Sequence, residues 1–239
     1  MATYKPIKKW MIPLLSIIIG GGLGFALFPS NEDHDYNKWI SMLETYEENT
    51  YQIDSIYQWD NIVYSKSQGI WSNQRSYYEI KTPISDGSEF SFETYLFTDK
   101  LYINTNDQWS FVTLPHRFTH ELAPLDNPFQ WIANLLKHAD EFITNKSGDS
   151  VIYKATFKRF PAIDFRGTLL SKQKDTHLTM TIKEGEPVSL KWVVNPLRPS
   201  NVGPLVSYPD KLNYQLNFVS GSGSVQVLPK EAGEAEEIE

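Results

Sequence analysis

Cysteine is absent from this 239-residue chain. That rules out disulfides and any lipid attached through a cysteine, so stability must come from the core. Basic side chains are scarce once the first thirty residues are set aside. Lys5, Lys8 and Lys9 leave with them, and the remaining 19 Lys and Arg face 29 Asp and Glu, a net charge of −10. A domain that neutralises phosphates needs a basic surface, so this balance argues against nucleic acid and against broad adhesion to anionic lipid headgroups. Long apolar runs are scarce too: one stretch stands out.

That stretch is Trp10–Phe28, nineteen residues without a charge directly behind Lys5, Lys8 and Lys9. As a helix it reaches ~28 Å, about the hydrocarbon thickness of a bilayer. Glu32, Asp33 and Asp35 lie on the far flank. The positive-inside rule then expects residues 1–9 in the cytoplasm, 10–28 across the membrane and the rest outside it, giving a single-pass protein of the cell membrane. A cleaved signal peptide would share the basic and apolar regions, but the nearest small-residue site, Ala26-Leu27-Phe28, ends in a bulky aromatic. The run therefore reads as a retained anchor. Gly20 and Gly24 form a Gly-x-x-x-Gly pair that can seat a second helix, although glycine is common in spans generally.

About two hundred residues follow, enough for one sizeable core. Aromatic residues make up 14 % of the chain, and six of the seven tryptophans lie beyond the apolar run. This composition suits a β-rich domain with a large apolar interior. Residues 35–48 have helical periodicity through Trp39, Ile40, Leu43 and Tyr46. The period then changes to two. Ser55–Tyr64 and Arg75–Thr82 read as strands on either side of the polar run Ser65 to Gly69. Alternation is clearest from Glu89 to Leu114, where Asp99-Lys100 and Asn106-Asp107 divide three short strands of an antiparallel meander.

Asn127-Pro128 opens a second helix, with Asn as N-cap and Pro at the first helical position. Trp131, Ile132, Leu135, Leu136, Ala139, Phe142 and Ile143 give residues 127–143 one broad apolar face, a spacing that fits core packing. Strands resume at Val151–Phe157, Leu178–Ile182 and Val188–Val194, the last two around a Glu184-Gly185 turn, then at Leu212–Phe218 and Val225–Leu228. Residues 230–239, with five glutamates from Glu231 onward, read as a disordered acidic tail.

The passage Glu93-Thr94-Tyr95-Leu96-Phe97-Thr98-Asp99-Lys100-Leu101-Tyr102-Ile103, followed by Trp109, resembles the "strand, polar turn, Leu-Tyr, then Trp" passage of the LolA-like lipoprotein-carrier superfamily, which includes LolA, LppX and LprG types. The order of elements over roughly residues 35–229 is similar as well. The resemblance implies an α+β fold: a strongly curved antiparallel half-barrel sheet with covering helices, here a 31–229 extracytoplasmic domain preceded by one transmembrane helix. It also implies an apolar cavity for acyl chains and no catalytic residues. Carriers of that family are soluble or lipidated, so a helical tether points to a fixed holder, a sensor or a subunit.

No motif supplies chemistry of comparable weight. His116 and His120 have the spacing of one helical turn, but they lie between Pro115 and Pro124 and lack further ligands, so no metal site is expected. Ser171-Lys172-Gln173-Lys174 matches Ser-x-x-Lys without the companion elements a penicillin-interacting enzyme needs. Ser220–Ser224, alternating Ser and Gly, lacks the lysine and helix of a phosphate loop. Neither an enzyme nor a cofactor is expected. Phe90, Phe92, Leu96, Leu101, Ile103, Trp109 and Phe111, with Trp131 and Leu135 on the helix, are the candidate lining of an apolar site. Periodicity leaves two interiors open, one with these side chains around a cavity and one with them interdigitated. The expected function is binding of a lipid or another apolar molecule in the cell envelope. The alternative is a non-catalytic subunit docking a membrane partner such as a sensor kinase or envelope complex.

Overall fold

A computed structural model describes residues 31–84, 87–158, 163–166, 168–170, 173–198, 200, 203, 208–221 and 223–238. The run Trp10–Phe28, and with it the expected span, lies outside them. No described helix is long and apolar enough to cross a membrane.

Helix α1 covers Asn31–Tyr46 and buries Trp39, Leu43 and Tyr46, which recur on one face. Strands β1 (Tyr51–Trp59), β2 (Ile62–Trp71), β3 (Arg75–Pro83), β4 (Glu89–Phe97), β5 (Lys100–Thr105) and β6 (Gln108–Thr113) follow as hairpins. Then come the short helix α2 (Phe118–Leu122) and helix α3 (Pro128–Leu136). Strands β7 (Glu141–Ser147), β8 (Ser150–Phe157), β9 (Ile163–Phe165), β10 (Thr168–Leu170), β11 (Thr176–Lys183), β12 (Glu186–Val194) and β13 (Leu212–Ser220) precede a 3-10 turn at Lys230–Glu234 and β14 (Glu236–Glu237). Twelve strands form one sheet in the order β14-β6-β5-β4-β3-β2-β1-β13-β12-β11-β8-β7, with β9 and β10 a separate hairpin. All pairs are antiparallel except β14 with β6.

Laid flat, twelve strands at about 4.8 Å spacing would span roughly 50 Å. Instead Val112 of β6 and Ala155 of β8, far apart in the strand order, share one buried cluster with α1 and α3. The sheet therefore curls around the two helices, an open half-barrel whose inner face is the core. This α+β architecture matches the expectation.

Four local expectations change. The polar run Ser65 to Gly69 is no loop but the middle of β2, and the chain reverses earlier, at Asp60-Asn61. Ser65, Ser67 and Gly69 point inward, where small side chains leave room for what packs above them. The second helix starts where Asn127 caps it, its side chain accepting from the Gln130 N–H at 3.0 Å. It ends at Leu136, not 143: Phe142 and Ile143 belong to β7, whose backbone pairs with β8. Helical and strand periodicities coincide over a segment this short, and the sheet edge decides. The acidic C-terminus is ordered through Ile238. Gln226 accepts from the Tyr95 hydroxyl, Val225 and Ala232 are buried, and Ile238 N–H donates to Phe111 O at 2.9 Å. Val225–Leu228 is extended without forming a strand.

Candidate functional site

Strand register sorts the candidate residues by face. Phe90, Phe92 and Leu96 lie two or four apart on β4, and the pairs Thr94 with Ile103 and Leu96 with Leu101 carry the same inner face onto β5. The two-residue turn Asn106-Asp107, both at positive φ, then pairs Ile103 with Ser110 and Leu101 with Val112. Trp109 and Phe111 consequently face outward. Trp109 packs on Tyr95 with ring centroids 5.6 Å apart, and Phe111 on Tyr102 at 5.7 Å. The candidate set is therefore not one lining: five of the nine share the inner sheet face, two sit on α3 opposite it, and two are on the other side of the sheet.

Much of the inner face is filled. Phe129 of α3 is fully buried among Tyr51, Trp71 and Phe218, at 5.3, 5.1 and 5.5 Å between ring centroids. Leu135 is buried on the same helix, and Trp131 meets Trp192 edge-on at 4.9 Å. The β9–β10 hairpin supplies a second plug. Phe165 is buried against Tyr57, Trp192 and Tyr214 at 5.7, 4.8 and 5.8 Å. Next to it Arg166 holds the hairpin in place: its guanidinium lies 5.0 Å from the Tyr57 ring, Nη1 donates to Ser65 Oγ at 2.7 Å and Nε to Glu121 O at 2.8 Å. Phe165 and Arg166 were not singled out by sequence reasoning, because a three-residue strand carries no periodicity.

The β3–β5 flank differs. Ile80, Leu96 and Leu101 are buried at its floor, Phe92 and Ile103 are only partly covered, and Phe90, 5.7 Å from Phe92, is 43 % exposed. This is the apolar part of the inner face that the helices and hairpin leave open. It has an interior wall of aromatic and aliphatic groups and no titratable group within the set, so it can take up apolar surface and offers no acid or base. Two clefts, of about 440 and 450 Å³, share the β2–β3 turn Ser72–Arg75 and are lined mainly by Ser, Asn, Gln, Thr and Glu; the first also takes in the candidate Leu96, with Phe97, Leu114 and Pro115.

Burial rather than charge partners dominates the titration of the core. The Tyr78 hydroxyl, which donates to Leu125 O at 3.0 Å, is pushed well up by desolvation, and Tyr51 is raised to about 12 by the same cause. Among the described residues, no three His, Asp or Glu side chains stand close enough to hold a metal. His116 precedes α2, so it does not share a helical turn with His120.

The chain is similar in fold to a LolA superfamily protein. The crystal structure of that protein, from Nitrosomonas europaea, matches over 80 % of this chain and 94 % of its own, at 11 % sequence identity and a TM-score of 0.30. No protein-family model and no curated protein matches the chain.

Proposed function

We propose that this is a membrane-tethered extracytoplasmic domain that holds an apolar ligand, an acyl chain by chemistry, against the open β3–β5 flank of its half-barrel. The observation that carries the reading is the contrast within one face: sealed by Phe129 and Phe165 at its centre, open at Phe90, Phe92 and Ile103. Each methylene buried there contributes ~0.8 kcal/mol, so a chain of ordinary length needs no polar contact to be retained. The apolar run Trp10–Phe28 behind three lysines supports the tether and its orientation.

The test is mass spectrometry of an organic extract of residues 31–239, purified without detergent. A stoichiometric acyl lipid is expected, and an extract free of lipid overturns the reading. A second reading, docking of a membrane protein partner, draws on the outward aromatic residues Tyr102, Trp109 and Phe111. Crosslinking from that face in the anchored chain would separate the two.

A further inference from the structure

The strands of the sheet share two rims. One carries the turns Ser72–Gln74, Thr98–Asp99, Gly148–Asp149 and Glu184–Gly185, all of polar or small residues, and both polar clefts. The other carries the equally polar Asp60-Asn61 and Asn106-Asp107 turns, Ile84, Gly87 and Ser88 between β3 and β4, and residues 195–198 after β12. On this second rim stand Ile62, 67 % exposed, Ile84, 47 % exposed, and Phe90, together with the exposed Tyr64 and Leu197. Exposed apolar residues scattered singly need no explanation, whereas several on one rim do. Elsewhere Val188 and Val219 are exposed near the polar rim, Ile143 on the β7 edge, and Val227, 77 % exposed, and Ile238 on the C-terminal segment.

The direction of α1 identifies what this rim meets. Tyr46, in its last turn, donates to Gly185 O at 2.8 Å, on the polar rim. Tyr36, near its start, packs on Phe142 at the beginning of β7, with ring centroids 5.4 Å apart, toward the apolar rim. So α1 begins at the apolar rim. Three peptide links separate Phe28 from Asn31, and they span at most ~11 Å. With Trp10–Phe28 in the bilayer, the apolar rim is held within reach of the bilayer surface.

We propose that this rim seats on the membrane, with Ile62, Ile84 and Phe90 dipping into the interface. This rests on the tether reading, and it goes further by orienting the domain. The open flank at Phe90 then faces the lipid, and an acyl ligand enters from the bilayer without crossing water.

A chain without cysteine makes the test direct. Full-length Ile62→Cys, Ile84→Cys and Val188→Cys variants are labelled with bimane and reconstituted into phosphatidylethanolamine–phosphatidylglycerol vesicles containing doxyl-labelled phosphatidylcholine. Groups lying within ~10 Å of the acyl boundary should be quenched roughly threefold more at 62 and 84 than at 188. Chain retained by the vesicles through an alkaline carbonate wash, with quenching at 62 and 84 no greater than at 188, overturns the seating alone. Chain released by the wash overturns the tether and the seating with it. A blue-shifted probe at 62 that doxyl lipid leaves unquenched means a second copy covers the rim, and this too overturns the proposal.

Discussion

Gly69 shows how closely single residues are fixed in this sheet. It faces inward on β2, and an added Cβ would strike the Tyr77 carbonyl on β3 as well as the Tyr78 ring. Backbone cannot yield as a flexible side chain does, so Gly69→Ala should cost about 2–3 kcal/mol, read as a lower denaturant midpoint at unchanged slope. An unchanged midpoint would show that β2 and β3 separate freely there. The face on which an aromatic lies matters equally. Phe92 and Phe111 look equivalent by residue type, and only the pairing set by the Asn106-Asp107 turn places them on opposite sides. Phe92→Asp should therefore empty the domain of acyl ligand, while Phe111→Asp leaves the lipid recovered per chain at its wild-type level. Loss in both variants, or in neither, would break the assignment of the site to the inner face. The turn that decides this is readable in the sequence, since a two-residue hairpin keeps paired residues on one face. Selecting residues by bulk alone hid it.

Elements were legible where a period ran long or a turn had marked chemistry. The meander, the Glu184-Gly185 hairpin and the Asn127 cap reappear where alternation and turn residues place them. Legibility failed where tertiary pairing overrode local pattern. Phe142 and Ile143 continue the helical spacing of 127–143 yet join the sheet edge, and the β9–β10 hairpin is too short to show any period. The C-terminus failed for a different reason: its composition is that of a solvated tail, while its partner is the otherwise unpaired edge of β6. Glu236 and Glu237 pair in parallel with Ser110 and Phe111, and the Thr113 hydroxyl donates to Glu237 at 3.0 Å. An exposed strand edge is a template for further pairing, and charged residues laid along it block that route. Deleting residues 230–239 should therefore leave the inner core folded but make the domain self-associate, seen as concentration-dependent light scattering at neutral pH. A truncated domain that stays monomeric at every concentration would mean that β6 needs no cover.

For the molecule as a whole, the curled sheet packs tyrosines on both faces, Tyr51, Tyr78 and Tyr214 inside and Tyr77 and Tyr95 outside, and this sets its response to alkali. Tyr46, Tyr51, Tyr77, Tyr78, Tyr95, Tyr208 and Tyr214 all hold their hydroxyl protons above the ordinary value of 10, with burial the first cause in each. A group whose folded pKa is raised keeps its proton in the native state after the unfolded chain has lost it. Stability from these tyrosines is thus fully present below pH 10 and falls as pH rises toward about 12, the value to which Tyr51 is pushed. Because several groups act together, the fall should be steeper than one proton per unfolding event. The denaturant midpoint followed by circular dichroism should stay level from neutral pH to about 10 and then drop sharply. Tyr78→Phe should be less stable at neutral pH, because Leu125 O loses its buried donor, yet shallower in its alkaline decline. A midpoint level through pH 11.5 would mean that the phenols reach water in the native state, and that the inner face is far more open than its aromatic packing allows.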